Sequence, residues 1–165
     1  SGNVGLGRQP AANRLEVAGN ASKDTAGSWL ANSDARIKTD VQTITNALET
    51  LSRVRPVSFR YRADYRAQHP SIENRPYVNV LAQEFQQVFP ESVKGSGETL
   101  PDGSEILQVD TYPLTVYAAA AIQELNQKVE ELSAALARRD AENQELKKRL
   151  ERIEQFLLKE TASGN

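Results

Sequence analysis

The clearest pattern of apolar and polar positions lies at the C-terminal end. From Ile122 a seven-residue repeat runs without a skip. Its a positions are Ile122, Val129, Leu136, Asn143, Leu150 and Leu157, and its d positions are Leu125, Leu132, Arg139, Leu146 and Ile153. A heptad kept in phase over this length, with charges outside the seam, predicts a coiled coil. The competing reading is an amphipathic helix packed on its own domain, but no other stretch offers an apolar surface of matching length. A helix from Ile122 to Glu160 would be roughly 58 Å long at 1.5 Å per residue. Arg139 and Asn143 interrupt the seam, and polar seam residues set register or oligomer state at a cost in stability. They could alternatively mark a local opening or an ion site on the axis. Glu142 can reach Lys147 of a neighbour, and Arg149 can reach Glu154, which fits a parallel assembly. Seam shape does not choose cleanly between two and three strands, although Leu at a with Ile at d after Asn143 tilts away from a dimer.

Upstream the period changes. Asn3 to Gly7 and Arg14 to Val17 read as short β pieces around Pro10, too short and polar to bury a core. Residues 20–32 read as a connector anchored by Trp29-Leu30, with Trp29 expected to pack. Thr39 and Gln42 form a capping-box pattern, and Val41, Ile44, Leu48 and Leu51 follow at helical spacing, which predicts a helix at about 39–53. Val57, Phe59 and Tyr61 alternate with polar residues as a half-buried strand. Residues 63–76 read as an exposed loop, with His69 as a surface residue. Tyr77 to Leu81 predicts a strand, and Ala82 to Phe89 a short helix with Phe85 and Phe89 on one face, ended by Pro90. Residues 95–104 read as a hairpin-type loop and Ile106 to Val109 as the returning strand.

Composition narrows the function classes. The chain has 165 residues, 25% of them charged, and a net charge of −2. Nothing in that balance points to nucleic acid or an anionic membrane. No apolar run suits a membrane span, and no signal peptide pattern is present. Without cysteine there is no disulfide framework and no thiolate metal site. No cofactor or metal is expected. Paired carboxylates, metal spacing and a phosphate loop are missing and there is one histidine, so a conventional enzyme acting on other substrates fits poorly. The missing initiator methionine suggests a fragment of a longer protein.

One hexapeptide carries candidate chemistry: Ser33-Asp34-Ala35-Arg36-Ile37-Lys38. A Ser–Lys pair can be a nucleophile and its general base, although both residues are common and the bland reading is a loop serine and a solvated lysine. If the following helix begins at Thr39, Lys38 lies at its N-terminal mouth. The macrodipole there disfavours an ammonium, and the free N–H groups could hold an oxyanion. A five-residue separation on a continuous helix would put the two side chains on different faces, so Ser33 is expected in the extended connector, folded back towards Lys38.

Four separated stretches resemble one family, the C-terminal intramolecular chaperone domain of phage tailspikes, endosialidases and tail fibres. They are Ser33 to Asp40, Leu51 to Tyr61, Leu81-Ala82-Gln83-Glu84 with Val88-Phe89-Pro90-Glu91, and Val109-Asp110 leading into the Ala-rich entry of the coiled coil. The upstream Asn3 to Gly19 looks like the last repeat of a fibre stalk. The pattern departs from the family near 77–81, where Asn79 or Val80 replaces the usual Gly, and in a longer 92–108 insert.

The resemblance implies an α+β fold: a small mixed helix/strand chaperone domain with a short N-terminal β stalk segment, and a long C-terminal helix forming a parallel trimeric coiled coil. The implied domains are 1–32 as stalk end and connector, 33–117 as chaperone and peptidase, and 118–165 as coiled-coil helix and tail. Family members trimerise, help the preceding stalk to fold and then cut themselves off as single-turnover serine peptidases. Carried over, the bond is Asn32–Ser33, with Ser33 as nucleophile, Lys38 as base, and Asp34 and Arg36 in support. The implied partners are two further copies of the chain and its own upstream stalk, with no nucleic acid and no membrane. The implied setting is a phage virion precursor in the host cytoplasm or a bacterial surface fibre. The alternative is a permanent trimerisation cap that never cleaves.

Overall fold

The computed structural model describes residues 2–26 and 28–163, and the side chains up to Lys159. Position 1, Gly27 within the expected connector, and the tail at 164–165 lie outside the described residues. The chain divides into two compact units, Ser1–Ala120 and Ala121–Asn165.

The first unit is built from short elements. Strands β1 (Val4–Leu6) and β2 (Leu15–Val17) pair in parallel, Val4 opposite Leu15 and Leu6 opposite Val17. The turn between them closes on the Glu16 side chain, whose Oε1 accepts from the amides of Ala11, Ala12 and Asn13 at 3.0, 2.6 and 2.7 Å. A buried carboxylate thus does locally what a core cannot do in so short a segment. Strand β3 (Val57–Phe59) pairs antiparallel with β4 (Tyr77–Asn79), and β5 (Val93–Thr99) pairs antiparallel with β6 (Glu105–Val109). The β5–β6 turn is closed by Asp102, which accepts from the Ser104 amide at 2.9 Å, with Gly103 in the left-handed region that only glycine enters freely.

The core sits where helix α3 (Ala82–Phe85) meets this hairpin. Phe85, Phe89 and Val93 are buried, with Leu51, Val54, Leu107, Val109, Leu114 and Tyr117 packed against them. The Phe85 and Phe89 rings lie 5.1 Å apart, and Tyr117 meets Phe89 edge-on at 5.0 Å. The expected Phe85/Phe89 face is therefore the core, although regular helix stops at Phe85 and a 3-10 turn, Pro90–Ser92, follows Phe89.

Several expectations are corrected. No helix begins at Thr39: helix α1 is confined to Ala47–Ser52. Asp40 and Asn46 both take left-handed backbone angles, φ 51° and 56°, which interrupt a right-handed helix. Thr39, Val41, Thr43, Ile44 and Thr45 are β-branched, which weakens helix formation between them. Trp29 does not pack; it is 76% exposed in the single chain. The stretch 63–76 is not all loop, because helix α2 (Ala63–Gln68) stacks Tyr65 on His69 at 4.0 Å between ring centres. The glycines at 95 and 97 lie inside β5 at a register shift, so the loop shrinks to the turn before Glu105.

Helix α4 (Tyr112–Ser163) starts where Asp110 Oδ1 accepts from the Tyr112 amide at 2.9 Å, with Pro113 in the first turn, where a missing N–H costs nothing. From Ala121 it forms the second unit. The apolar seam positions Ile122, Leu125, Val129, Leu132, Leu136, Leu146, Leu150, Ile153 and Leu157 are all more than half exposed in the single chain, and Arg139 and Asn143 are exposed as well. Arg149 Nε bonds Glu145 one turn back at 3.1 Å. Mixed helix and strand with a long C-terminal helix is thus the observed architecture.

Candidate active site

Residues 33–38 are shaped by a local turn. Asp34 is extended, with φ −68° and ψ 133°, and caps a 3-10 turn at Ala35–Ile37 by accepting the Arg36 amide at 2.9 Å. A short acidic side chain that bonds the backbone two residues on is the usual way a sequence folds such a turn. The same carboxylate holds the Arg36 guanidinium at two points, Nε–Oδ1 at 3.0 Å and Nη2–Oδ2 at 2.5 Å. The Arg36 guanidinium, with its backbone N–H behind it, keeps the Asp34 carboxyl below the usual aspartate range.

The turn reverses the chain enough to bring Lys38 back onto Ser33, with Nζ 2.6 Å from Oγ. As an ammonium the lysine donates to the serine oxygen. As a neutral amine it accepts the hydroxyl proton, which is the arrangement general-base catalysis needs. Both side chains, and Asn32 before them, are exposed in the single chain. Lys38 is itself extended, φ −118° and ψ 145°, and its amide closes the turn onto Ala35 O at 3.1 Å. The expected helix mouth is absent here, since α1 begins only at Ala47. The macrodipole and helix-terminal oxyanion arguments for Lys38 and Ser33 fall with it. What brings the pair together is an Asp-capped turn.

Two further arrangements were not read from the sequence. Arg55 forms a forked ion pair with Glu84, one arm being Nε–Oε2 at 2.9 Å, and Arg53 Nη2 reaches Gln87 O at 3.2 Å. These join the 51–61 and 81–91 stretches, and the Arg55 guanidinium holds the Glu84 carboxyl below its ordinary range. In addition, His69 meets a carboxylate after all, its Nε2 lying 3.1 Å from Glu98 Oε2. A strand reading of 95–104 was the signal that would have exposed this contact. Among the described residues, no cluster of His, Cys, Asp or Glu is arranged to hold a metal, and no helix is long and apolar enough to cross a membrane.

A small helix–strand domain whose entry loop pairs a serine with a lysine defines the class. Residues 33–94 match the family model of peptidase S74, described as chaperone of endosialidase. That match opens on Ser33 and ends within β5, so it takes in the Ser33–Lys38 turn and the α3 core segment.

Proposed function

We propose that the chain is a self-releasing chaperone. It trimerises in parallel through residues 122–157, assists folding of the stalk that ends at residues 1–32, and then hydrolyses its own Asn32–Ser33 bond. The observation that carries the chemistry is the 2.6 Å approach of Lys38 Nζ to Ser33 Oγ, in a segment that opens the family match. Ser33 Oγ attacks the carbonyl carbon of Asn32 while its proton passes to Lys38. Lys38 passes that proton to the Ser33 nitrogen, which leaves as a free amine as the peptide bond breaks, giving an ester between the Asn32 carbonyl and Ser33 Oγ. Water then adds to the ester carbonyl, and its breakdown frees the Asn32 carboxylate and the Ser33 hydroxyl. Asp34 and Arg36 hold the turn that presents the pair. A serine is a weak nucleophile without a base held against it, and on this reading the exposed pair of the single chain is completed by a neighbouring chain, which ties the cut to assembly.

Slow folding of non-local β structure gives the chaperone its task, because chain closure precedes its contacts. Loss of the template afterwards leaves the stalk behind its unfolding barrier. Intact-mass measurement tests the reading. Wild type is expected as two pieces divided between Asn32 and Ser33, and Ser33→Ala as one full-length chain. Lys38→Ala should also stay whole, and Lys38→Arg should not restore cutting, because a guanidinium does not give up its proton near neutral pH. Wild-type cutting by Lys38→Ala would place the base elsewhere. The exposure of both groups keeps one rival in view, a permanent trimeric cap, for which wild type stays a single mass.

A further inference from the structure

The chaperone reading leaves open how the domain knows its stalk. One relay of side chains links residues 4–18 to the rest of the first unit. Glu16 Oε2 holds Arg8 Nε at 3.2 Å, and Arg8 Nη2 reaches Glu98 Oε1 on β5 at 2.8 Å. The other oxygen of Glu98 meets His69 Nε2 at 3.1 Å and the Tyr65 hydroxyl at 3.4 Å, both from the end of α2. His69 Nδ1 in turn lies 2.8 Å from Tyr65 O. Beside the relay, Lys94 Nζ donates to Asn13 Oδ1 at 2.8 Å.

Two features set this contact apart from incidental surface pairing. The side chains of Arg8, Glu16, Glu98 and His69 are 28%, 7%, 24% and 27% exposed, whereas both partners of the pairs Arg36–Asp34, Arg55–Glu84, Arg62–Asp64, Arg75–Glu73, Arg149–Glu145 and Arg152–Glu145 exceed 40%. Partly shielded charges interact more strongly than solvated ones. Backbone shape also serves the contact. Gly97 has φ +77°, and a Cβ there would lie 2.5 Å from the Ala11 Cβ, so the strand is bare where the turn of the stalk segment comes closest. The register shift between Gly95 and Thr99 is the kind of irregularity that re-aims side chains, and Glu98 lies within it.

We propose that β5 around Gly97 and Glu98, with Lys94 and the Tyr65–His69 end of α2, is a docking surface for the end of the stalk. Its ligand is a parallel strand pair whose connecting turn presents an arginine already oriented by a buried carboxylate, here Arg8 on Glu16. Glu98 is the recognising group and His69 its positioning partner. The meaning of the dock rests on the chaperone reading, but its test does not need cleavage.

Hydrogen exchange on the full-length chain reads it, with every comparison made in a Ser33→Ala background so that both sides stay joined. Glu98→Ala should speed exchange across residues 4–18 by about tenfold, although it lies outside that segment, and leave residues 85–93 unchanged. His69→Ala should do the same to a smaller degree. Arg8→Ala should also speed it, and should add little on top of Glu98→Ala, since both remove one link. Glu98→Gln keeps the shape and removes the charge, so it serves if the alanine variant misfolds, with a smaller rise expected. Unchanged exchange over 4–18 in the Glu98 variants, or loosening confined to α2 and β5, would overturn the dock. A Ser33→Ala chain that is still cut would instead overturn the nucleophile assignment, a separate result read from its mass.

Discussion

At the scale of single residues, the pair Ser33–Lys38 was legible because everything that makes it is local. The aspartate that caps the turn lies between the two, and an Asx turn needs nothing from the rest of the fold. Glu16 was not legible in its role. As one polar residue in an alternating strand it reads as solvent-facing, yet it is buried and gathers three amides and a guanidinium. The Asn13 amide first, then those of Ala12 and Ala11 and the charge of Arg8, pull its carboxyl below the ordinary glutamate range against the opposing effect of burial. A lowered folded value means a contribution that is complete above the ordinary glutamate range and fades as pH falls through the lowered value. Glu16→Gln should therefore melt below wild type at neutral pH, and the gap should close on acidification through that window. A gap that stays constant in a pH series of melting curves would show that the charge is immaterial.

At the scale of elements, the periodic apolar pattern located Phe85 and Phe89 correctly and misplaced the helix before them. Helical spacing from Val41 to Leu51 was present in the letters, but spacing does not encode the left-handed residues Asp40 and Asn46 that break it. The β5 strand was hidden for the opposite reason. Gly95 and Gly97 read as loop punctuation, whereas here they let a strand bend and a neighbour approach. The core these pieces share is small, so its members weigh heavily. Phe85 is 2% exposed and truncation leaves a cavity that short elements cannot refill. Phe85→Ala should cost about 3–5 kcal/mol in denaturant unfolding, typical of a buried phenylalanine. A loss under about 1 kcal/mol would mean the core collapses around the gap.

At the scale of the whole molecule, the long helix was legible because its repeat is sustained; its apolar seam is exposed in the single chain, and the proposed trimer rests on the repeat. Leu132→Asp places a charge at a d position and should turn a trimer into a monomer by light scattering at micromolar concentration, and abolish cutting if assembly completes the site. Wild type appearing as a monomer would overturn the trimer itself. Asn143→Leu should raise the melting temperature while loosening the choice of oligomer state; a lower melting temperature would mean that the side chain makes required hydrogen bonds or binds an ion. If the proposed cut between Asn32 and Ser33 occurs, the chain that tethers residues 4–18 to Ser33 has a further consequence. While it is unbroken, the strand pair at residues 4–18 and the Glu98 surface belong to one molecule, and each meets the other at an effective concentration on the order of millimolar. A dock with a dissociation constant well below that is occupied nearly all the time. Breaking one bond in the tether changes no contact in the dock, yet it makes rebinding a meeting of separate molecules. On the proposed reading dilution would do the unlocking, and a grip too weak to matter between separate molecules would suffice while the bond is whole.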